Sequence, residues 1–309
     1  MADTPSSPWP TVSVIVPVRN GAAPIARCLD AVLAQDYPGP TPEVIVVDNG
    51  STDRTPAVLG TFAPRVRTML EPRPGVSWAR NTAIVEARGE WLAFTDADCV
   101  PRPDWLRELV AIALADPEVS FVGGKITALP PTNTISLFAE SLFDQRRSVL
   151  EERPASFISA NLLARRDDIV RFGMFNPAYP RGQDTELAWR SQSVFGARFT
   201  YADAAIVEHV NPATLRELVH KAIQHGRGSA RLWRDFESYH GRSIRHRVRQ
   251  TKPFLDALRE TAALVPVPWR GVAERRSGPR RLDPFYSAIF RLFRHLSFVH
   301  RTLLPEADL

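Results

Sequence analysis

Short apolar runs alternate with amphipathic segments over the first hundred residues of the chain. Four of these runs are typical of buried strands: 12–16, 43–48, 66–70 and 91–95. Between the first two runs, apolar positions from Ile25 to Leu33 recur at helical spacing, and residues 76–87 predict a second helix. Strands that alternate with helices predict an α/β fold, with βαβ units and a mostly parallel sheet covered by helices on both faces.

Three of the predicted strands end in polar clusters. These clusters are Arg19-Asn20, Asp48-Asn49 and Asp96-Ala97-Asp98. Ligands of parallel α/β sheets bind outside the carboxyl ends of the strands, near the point where the strand order reverses. We therefore expect the three clusters to lie along one edge of the sheet.

The alternation weakens after about residue 120. Extended segments are predicted at 121–127, 157–163, 198–201 and 205–207, and a helix is predicted at 185–194. A long basic helix is predicted from Leu215 to about Tyr239. The following stretch 266–281 is rich in Pro, Gly and Arg, which is typical of an exposed linker.

The last predicted helix, at 284–304, is amphipathic. Its apolar residues recur at spacings of three and four, with Arg291, Arg294 and Arg301 between them. This pattern is expected of a helix that lies in the interface of an anionic membrane, and equally of a helix docked on the protein's own core. Peripheral membrane association through 284–304 and internal packing are therefore both open alternatives.

The composition is that of a globular protein, with 44% hydrophobic and 24% charged residues in 309. The net charge of +5 is uneven, because residues 213–309 carry 19 Lys and Arg against 9 Asp and Glu. A basic tail favours an anionic partner, which could be a membrane surface, a nucleic acid or a diphosphate ligand. No nucleic-acid-binding module is recognisable in the sequence, so we expect no nucleic-acid partner.

Cysteine usage and targeting signals bear on the compartment. Two cysteines, Cys28 and Cys99, cannot form a disulfide framework, and neither has the spacing of a metal-ligand set. We find no secretory signal pattern, and no apolar run approaches the roughly 20 residues that span a bilayer. We expect a cytoplasmic protein, or one held peripherally on the cytoplasmic face of a membrane.

The Asp96-Ala97-Asp98 segment is a candidate metal site. Alternate carboxylates at a strand end reach the same small region, and hard oxygen ligands suit magnesium or manganese. A departing diphosphate carries negative charge, which a bound cation stabilises. The alternative is that the two carboxylates cap the helix that starts near Pro103 or simply end the strand.

The Asp48-Asn49 pair is a candidate nucleobase site. A carboxylate and an amide at a strand end together offer acceptors and donors to the edge of a base. For Gly50, Ser51 and Asp53 we expect a structural role instead, as a tight turn and a helix cap.

The order of these motifs along the chain resembles family 2 glycosyltransferases. The resemblance rests on 12–20 with Pro17, 46–53, Ala79-Arg80-Asn81, Asp96-Ala97-Asp98, 159–166, 173–175 and 182–187. It covers about residues 11–230 and implies the GT-A fold, a Rossmann-like mixed, mostly parallel sheet flanked by helices, here with a helical C-terminal extension. The implied regions are a flexible N-terminus (1–10), a catalytic domain (11–212), a basic helical region (213–265) and a linker with an amphipathic helix (266–309). The catalytic domain would divide into a nucleotide-binding half (about 11–125) and an acceptor-binding half (about 126–212).

The resemblance also implies roles for single residues. The implied nucleotide-sugar-binding residues are Pro17, Arg19, Asp48, Asn49, Arg80, Asp96 and Ala97. Asp98 is the implied principal ligand of Mn²⁺ or Mg²⁺, and His209 either completes that metal site or is a structural histidine. Asp184 is the implied catalytic base, unless its carboxylate only caps a helix.

This sequence departs from the family pattern at three positions. Gln183 stands before the implied base where relatives have Glu, and Asn49 stands where many relatives have a second Asp. Gly21 follows Asn20 where many relatives have an acid. The changes at 21 and 49 bear on which nucleobase is bound.

The implied function is a metal-dependent, inverting glycosyltransferase. It would move a sugar from a nucleotide-diphosphate sugar to a saccharide or lipid-linked acceptor, in the synthesis of cell-surface polysaccharide or glycoconjugates. One alternative is a non-catalytic or nucleotide-sugar-binding protein with the same fold. Another is a sugar nucleotidyltransferase, which would open with a Gly-rich phosphate loop that is absent from residues 16–20. The Gly-x-Gly-x-x-Gly turn of dinucleotide-dependent oxidoreductases is absent as well.

Overall fold

The computed structural model describes residues 8–130, 132–240 and 283–303. Its strands form one eight-stranded sheet. They are β1 (Val12–Val18), β2 (Glu43–Asp48), β3 (Arg67–Leu70), β4 (Trp91–Phe94), β5 (Cys99–Pro101), β6 (Val119–Ala128), β7 (Leu162–Arg165) and β8 (Arg198–His209). The helices are α1 (Ile25–Leu33), α2 (Thr55–Gly60), α3 (Val76–Glu86), α4 (Trp105–Ala115), α5 (Thr134–Glu140), α6 (Gln145–Leu150), α7 (Arg166–Arg171), α8 (Gln183–Phe195), α9 (Leu215–Asp235), α10 (Glu237–His240) and α11 (Asp283–Leu303).

The first half of the sheet is parallel. In the order β3-β2-β1-β4, every neighbouring pair runs in the same direction. Val18 pairs with Asp48, and Ile15 pairs with Phe94, so these strands end at the same edge. Strands β1 and β4 are buried along their whole length, as expected for parallel strands covered on both faces. The prediction that the three polar clusters share one edge is confirmed.

The second half of the sheet is mixed. Strand β7 is antiparallel to both β4 and β6, and β8 is parallel to β6 and antiparallel to β5. The two extended segments predicted at 198–201 and 205–207 form the single strand β8. Its register with β6 shifts between Gly124 and Lys125, so residues 203–205 of β8 form an irregularity in the pairing.

One predicted strand is partly wrong. Residues 157–163 were expected to be extended, but Ser159–Asn161 is a 3₁₀ turn and β7 begins only at Leu162. The side chain of Asn161 explains the turn, because it bonds to the backbone oxygens of Lys125 and Ala205 rather than standing beside a neighbouring strand. Strand β5 has only three residues and no apolar run marks it in the sequence.

The core of the sheet is built from its apolar strands and two helices. Helix α3 packs on β1 and β2 through Ala79, Ala83 and Ile84, and α8 contributes Leu187 and Ala188 to the same cluster. All five side chains are buried, and fully burying a side chain the size of Leu or Ile stabilises a fold by about 1.5–3 kcal/mol. Both helices also carry residues of the candidate site, so the core fixes their position.

The chain divides into two compact units. The first contains the residues up to 129 together with 144–210, and it holds the whole sheet. The second contains 130–143 and the residues from 211 onward. Of the predicted regions, the linker at 266–281 lies outside the described residues, and so do the first seven residues of the predicted flexible N-terminus.

The second unit is helical. The long basic helix predicted from Leu215 ends at Asp235, and it begins with a capping box between Thr214 and Glu217. Helix α11 packs closely on α9, since a Cβ atom at Gly226 would lie 2.2 Å from the Arg294 carbonyl oxygen. The Ser297 hydroxyl adds a 2.8 Å hydrogen bond to the backbone of α9.

Internal packing therefore occupies part of the apolar face of α11, while Leu296 of this face is exposed. Tyr286 and Phe290 form a cluster with Phe138, Leu218 and Ala222 of the same unit. Of the two alternatives left open for this helix, docking on the protein is the one that the structure contains. No helix within the described ranges has both the length and the apolar character needed to cross a membrane.

Candidate active site

The loops after β1 and β2 are joined by side chains. The backbone N–H of Asn20 donates to the Ser51 hydroxyl, and that of Gly21 donates to the Thr55 hydroxyl, both at 2.9 Å. A side chain at Gly21 would clash, because its Cβ would lie 2.7 Å from a Val18 methyl group. The tight approach of the two loops is a physical reason for glycine at this position.

Asp53 holds the turn before α2, but the prediction that it caps this helix is wrong, because Arg54 is at the N-cap and no side chain caps α2. Its Oδ1 atom accepts from the backbone N–H of Thr55 at 2.9 Å and from the Thr55 hydroxyl at 2.5 Å, just before α2 begins. These hydrogen bonds, with a further one from Ala22, lower the pKa of the Asp53 carboxyl group. The carboxylate is therefore used to hold the turn.

The Asn49 side chain, predicted to bind the nucleotide, is hydrogen-bonded to a neighbouring loop. Both of its N–H donors are used by backbone oxygens, those of Glu71 at 2.9 Å and Arg73 at 2.7 Å. Its Oδ1 atom accepts from the backbone N–H of Gly75 at 2.8 Å. The amide has no donor left for a base, so Asn49 shapes the 71–75 loop beside the pocket.

The 71–75 loop is stiffened by charge. Glu71 is buried and accepts from the Arg73 guanidinium at 2.6 Å and from the Thr82 hydroxyl at 2.6 Å. Hydrogen bonding from Arg73 lowers the pKa of Glu71 to about 2. The Arg73 guanidinium also stacks on Trp78, 3.9 Å from the ring centre.

Three other predicted nucleotide-binding residues lie at the same edge. Asp48 is nearly buried, and its Oδ1 atom accepts from the backbone N–H of Ser51 at 2.9 Å. Pro17 is buried in β1 opposite Val47, while Arg19 is exposed immediately after the strand. Asp48 and Arg19 are thus two charged groups that this edge presents.

Arg80 is the centre of the charged part of the site. Its side chain is 3% exposed, and its guanidinium donates to Asp96 at 2.8 Å and to Asp184 at 3.4 Å. The face of Phe175 lies under it, 5.2 Å from the guanidinium carbon. One buried cation from α3 therefore joins the carboxylate that follows β4 to the carboxylate at the start of α8.

Asp184 is held by more than this cation. It lies one residue inside α8, after Gly182, which has a left-handed backbone (φ 78°) that favours glycine. Its carboxylate accepts from the Ser159 hydroxyl at 2.9 Å and from the Ser159 backbone N–H at 3.2 Å. The alternative that it caps the helix is wrong, since α8 has Gly182 at its N-cap and no side-chain cap.

The environment of Asp184 favours proton uptake. Burial raises the pKa of its carboxyl group, and the nearby charge of Asp96 acts in the same direction. Arg80 and the two hydrogen bonds from Ser159 oppose that rise without cancelling it. A carboxylate with a raised pKa that remains 19% exposed has the properties of a general base.

A second cluster contains both predicted metal ligands. Strand β5 pairs with the end of β8, which sets Cys99 opposite His209, and the Val210 backbone N–H donates to the Asp98 carbonyl at 3.1 Å. The His209 Nε2 and Asp98 Oδ2 atoms are 3.8 Å apart. The Asp98 side chain is 44% exposed and His209 is nearly buried, so the cluster opens to solvent on the aspartate side.

This cluster fits a divalent cation. One donor atom each from Asp98, Cys99 and His209 lies within 4.8 Å of the others. Ligands bound at about 2.0–2.3 Å from one ion are at most about 4.6 Å apart, so a small closure would satisfy the spacing. The oxygen and nitrogen donors suit manganese, and the sulfur donor adds affinity for softer ions.

Comparison with known protein families identifies the family of this chain. The sequence profile described as "Glycosyl transferase family 2" matches residues 13–172, more than half of the 309 residues. The chain belongs to glycosyl transferase family 2.

A curated relative supports the same assignment. This glycosyltransferase is 33% identical over 236 residues to "Glycosyltransferase AglE" of Haloferax volcanii, covering 74% of this chain and 76% of the relative. Two further curated relatives are matched over 48% and 47% of their own length. The chain therefore spans only about half of those two proteins.

Solved structures confirm the GT-A fold. The mannosyltransferase PcManGT from Pyrobaculum calidifontis, in complex with GDP-Man and Mn²⁺, superposes with a TM-score of 0.61 at 22% identity, covering 97% of this chain and 91% of that one. Glucosyl-3-phosphoglycerate synthase from Mycobacterium tuberculosis, in complex with Mn²⁺, UDP and phosphoglyceric acid, gives 0.53 at 23% identity, covering 72% and 78%. The mixed sheet with flanking helices is that of the GT-A fold, as the sequence predicted.

Two residues of the candidate site were missed from the sequence. Ser159 lies within a motif that carried the family resemblance, but no spacing rule links it to Asp184. Cys99 was excluded because it has no partner at metal-ligand spacing, and only the pairing of β5 with β8 brings it to His209. Ala97, a predicted nucleotide-binding residue, separates the two carboxylates and is half-buried.

Proposed function

We propose that this glycosyltransferase moves one sugar from a nucleoside-diphosphate sugar to a hydroxyl group of a saccharide or lipid-linked acceptor, with inversion and with a divalent cation. One observation carries the proposal: the buried Arg80 guanidinium joins Asp96, next to the metal cluster, to Asp184, which has the properties of a base. Arg80 would then connect the group beside the bound donor to the group that deprotonates the acceptor.

The donor would bind at the edge where β1, β2 and β4 end. Asp48 and Arg19 are available there to meet the base and ribose, and Pro17 lies beside them. Asp96 and Ala97 would face the ribose and diphosphate. The Pyrobaculum enzyme is described with GDP-Man and the Mycobacterium enzyme with UDP, which supports the nucleotide class while leaving the base open.

Asp98 and His209 would hold the cation, with Cys99 as a third donor. A bound Mn²⁺ or Mg²⁺ supplies positive charge that stabilises the departing diphosphate. The Mn²⁺ ions described in both neighbours support this choice of metals. Asp98 lies on the exposed side of the cluster, where a ligand from solvent can reach it.

Asp184 would accept the proton of the acceptor hydroxyl while the oxygen attacks the anomeric carbon from the face opposite the diphosphate. Attack from the opposite face inverts the configuration in a single displacement. A general base of this kind contributes about 10²–10⁴-fold to the rate. Because burial raises the pKa of Asp184, the acid limb of the pH–rate profile should lie above that of an ordinary aspartate.

The test is the Asp184→Asn variant. Purified protein with Mn²⁺ would first be screened with UDP-, GDP- and dTDP-sugars by thermal shift, because a bound ligand stabilises the folded state. The donor found in this way would then be used in transfer assays with saccharide acceptors. We expect Asp184→Asn to lower transfer by about 10²–10⁴-fold with the nucleotide Kd unchanged.

Asp167→Asn is the matched control. Asp167 is also a first-turn acid of a helix, α7, and its side chain is 90% exposed. Its substitution should leave both transfer and binding unchanged. An Asp184→Asn variant with wild-type transfer would remove Asp184 as the base. Nucleotide binding without transfer in the wild type would favour the alternative of a nucleotide-sugar-binding protein.

The acceptor and the cellular role belong to the same proposal. A lipid-linked acceptor or a role in surface glycoconjugate synthesis would bring the enzyme to the cytoplasmic face of a membrane. Arg291 and Leu296 of α11 are exposed and would face such a surface. Flotation with anionic but not neutral vesicles, weakened in Arg291→Glu, is the expected result; equal flotation of the variant would contradict it.

A further inference from the structure

Ser159 makes two hydrogen bonds to the same carboxylate. Its hydroxyl donates to Oδ1 of Asp184 at 2.9 Å, and its backbone N–H donates to Oδ2 at 3.2 Å. Arg80 adds a contact to Oδ1 at 3.4 Å. The Oδ1 atom thus has two donors from the protein, whereas Oδ2 has one and retains a lone pair.

The turn that carries Ser159 is rigid. The Asn161 side chain accepts from the Trp105 indole at 2.8 Å and donates to the backbone oxygens of Lys125 and Ala205 at 2.8 and 2.9 Å. Gln145 donates to the Asn161 carbonyl at 2.7 Å. Ser159 and Asn161 are both buried, so the two donors of Ser159 have little freedom to move.

We propose that Ser159 is a positioning residue for the base, which turns Oδ2 of Asp184 toward the acceptor hydroxyl. This inference rests on the proposed function. In the step itself, the hydroxyl proton passes to Oδ2, the hydroxyl oxygen bonds to the anomeric carbon, and the bond from that carbon to the diphosphate breaks with its electron pair on the diphosphate. The resulting carboxylic acid keeps both Ser159 contacts.

Ser159 also controls basicity without adding charge. The charged groups that face Asp184 from other elements are Arg80 on α3 and Asp96 after β4. The Ser159 donors favour the carboxylate over the acid, so loss of the hydroxyl should raise the pKa of Asp184 further. A merely structural serine would change stability but not this pKa.

The first experiment compares pH–rate profiles of Ser159→Ala, Ser159→Thr and the wild type. We expect the acid limb of kcat/KM in Ser159→Ala to move up by about 1–2 pH units, from the loss of one hydrogen bond to a charged group. The KM for the donor should stay within about twofold, because Ser159 touches the base and not the nucleotide edge. Ser159→Thr, which retains the hydroxyl, should keep the wild-type limb.

Ser191→Ala is the matched control. Ser191 is equally buried and lies on α8 with Asp184, but its hydroxyl donates only to the Ala188 carbonyl, at 3.0 Å. Its loss should leave the acid limb where it is. An unshifted limb in Ser159→Ala, or an equal shift in Ser191→Ala, would overturn the proposal.

A second experiment needs no substrate. Because burial raises the folded-state pKa of Asp184, its contribution to stability is greatest below the unfolded pKa and is lost as pH rises through the folded pKa. Unfolding free energies of each protein and its Asp184→Asn counterpart, measured against pH, therefore report that pKa. We expect the pH range in which Asp184 stabilises the folded state to extend to higher pH in Ser159→Ala but not in Ser191→Ala.

The two experiments separate the two proposals. If the wild type transfers no sugar but the pH range stabilised by Asp184 still shifts in Ser159→Ala, the proposed function is overturned. The control of the Asp184 pKa by Ser159 then stands. Transfer that depends on Asp184, with an unshifted window and limb in Ser159→Ala, would overturn the role of Ser159 alone.

Discussion

Two regions of the site use the same residue types in different ways. The first is the edge where β1 and β2 end, the proposed nucleotide edge, and the second is the charged centre formed by Arg80, Asp96 and Asp184. At the nucleotide edge, the side chains of Asn49 and Asp53 form hydrogen bonds with backbone groups of the surrounding loops. In the charged centre, Asp96 and Asp184 are bound to the buried cation Arg80. Polar groups used by the backbone fix the shape of the pocket, whereas carboxylates held by one cation remain available for chemistry.

The largest expected effect is at the metal cluster. Asp98→Ala should lower transfer by about a thousandfold, because several kcal/mol of leaving-group stabilisation would be lost with the cation. Mn²⁺ binding followed by EPR should weaken in parallel. Asp104→Ala is the control, since Asp104 is a half-exposed acid whose side chain makes no cap hydrogen bond to α4. Full activity of wild-type protein in EDTA would contradict the metal role.

The next effect is on stability and tests the charged centre directly. Arg80→Met should lower the free energy of unfolding by about 3 kcal/mol at pH 7, because it leaves two carboxylates without their buried cation. Urea denaturation measures the loss. Arg73→Met breaks a pair between a half-exposed arginine and Glu71, so its loss should be smaller. Equal losses would mean that the two regions do not differ.

A third change tests whether the Asn49 side chain stabilises the fold through its hydrogen bonds to the 71–75 loop. Asn49→Asp removes both donors that satisfy the Glu71 and Arg73 carbonyls and should cost about 2 kcal/mol of unfolding free energy. Asn176→Asp is the control, because Asn176 uses its oxygen alone, as acceptor from Ala178. Thermal or urea denaturation of both variants decides the point. An unchanged stability of Asn49→Asp would return Asn49 to a base-reading role.

The smallest expected effect concerns the sulfur donor. Cys99→Ser should weaken Cd²⁺ binding by about tenfold and leave Mg²⁺ binding within about twofold, because sulfur prefers soft ions. Calorimetric titration measures both constants. Cys28→Ser is the control, since Cys28 is also a buried free thiol but contacts the Asp96 carbonyl. The same change in both variants would exclude Cys99 from the cluster.

The strands of the parallel half of the sheet could be predicted from the sequence for a physical reason. Strands buried on both faces are continuous apolar runs, and their parallel pairing brings Asp48 and Asp96 to one edge. The mixed half was not readable, because β5 is too short for a pattern and the turn at Ser159 is set by distant partners of Asn161.

The candidate site divides in the same manner. Asp184 and Asp98 follow from motif order, and the structure adds the contacts that connect them to their neighbours. The use of the Asn49 amide depends on where the 71–75 loop lies, and Cys99 depends on the pairing of β5 with β8. These are tertiary contacts, which the local pattern of a single sequence does not encode.

The double bridge made by Arg80 constrains how this site can evolve. A neutral residue at position 80 leaves two carboxylates without a cation, whereas a neutral residue at 96 or 184 leaves one ion pair, so the effects of substitutions at the three positions should depend on one another. A neutral substitution at 96 should be less harmful when 80 has already become neutral, because it removes one of the two unpaired carboxylates. Laboratory evolution toward new acceptors should therefore leave this triad intact and accumulate its changes elsewhere.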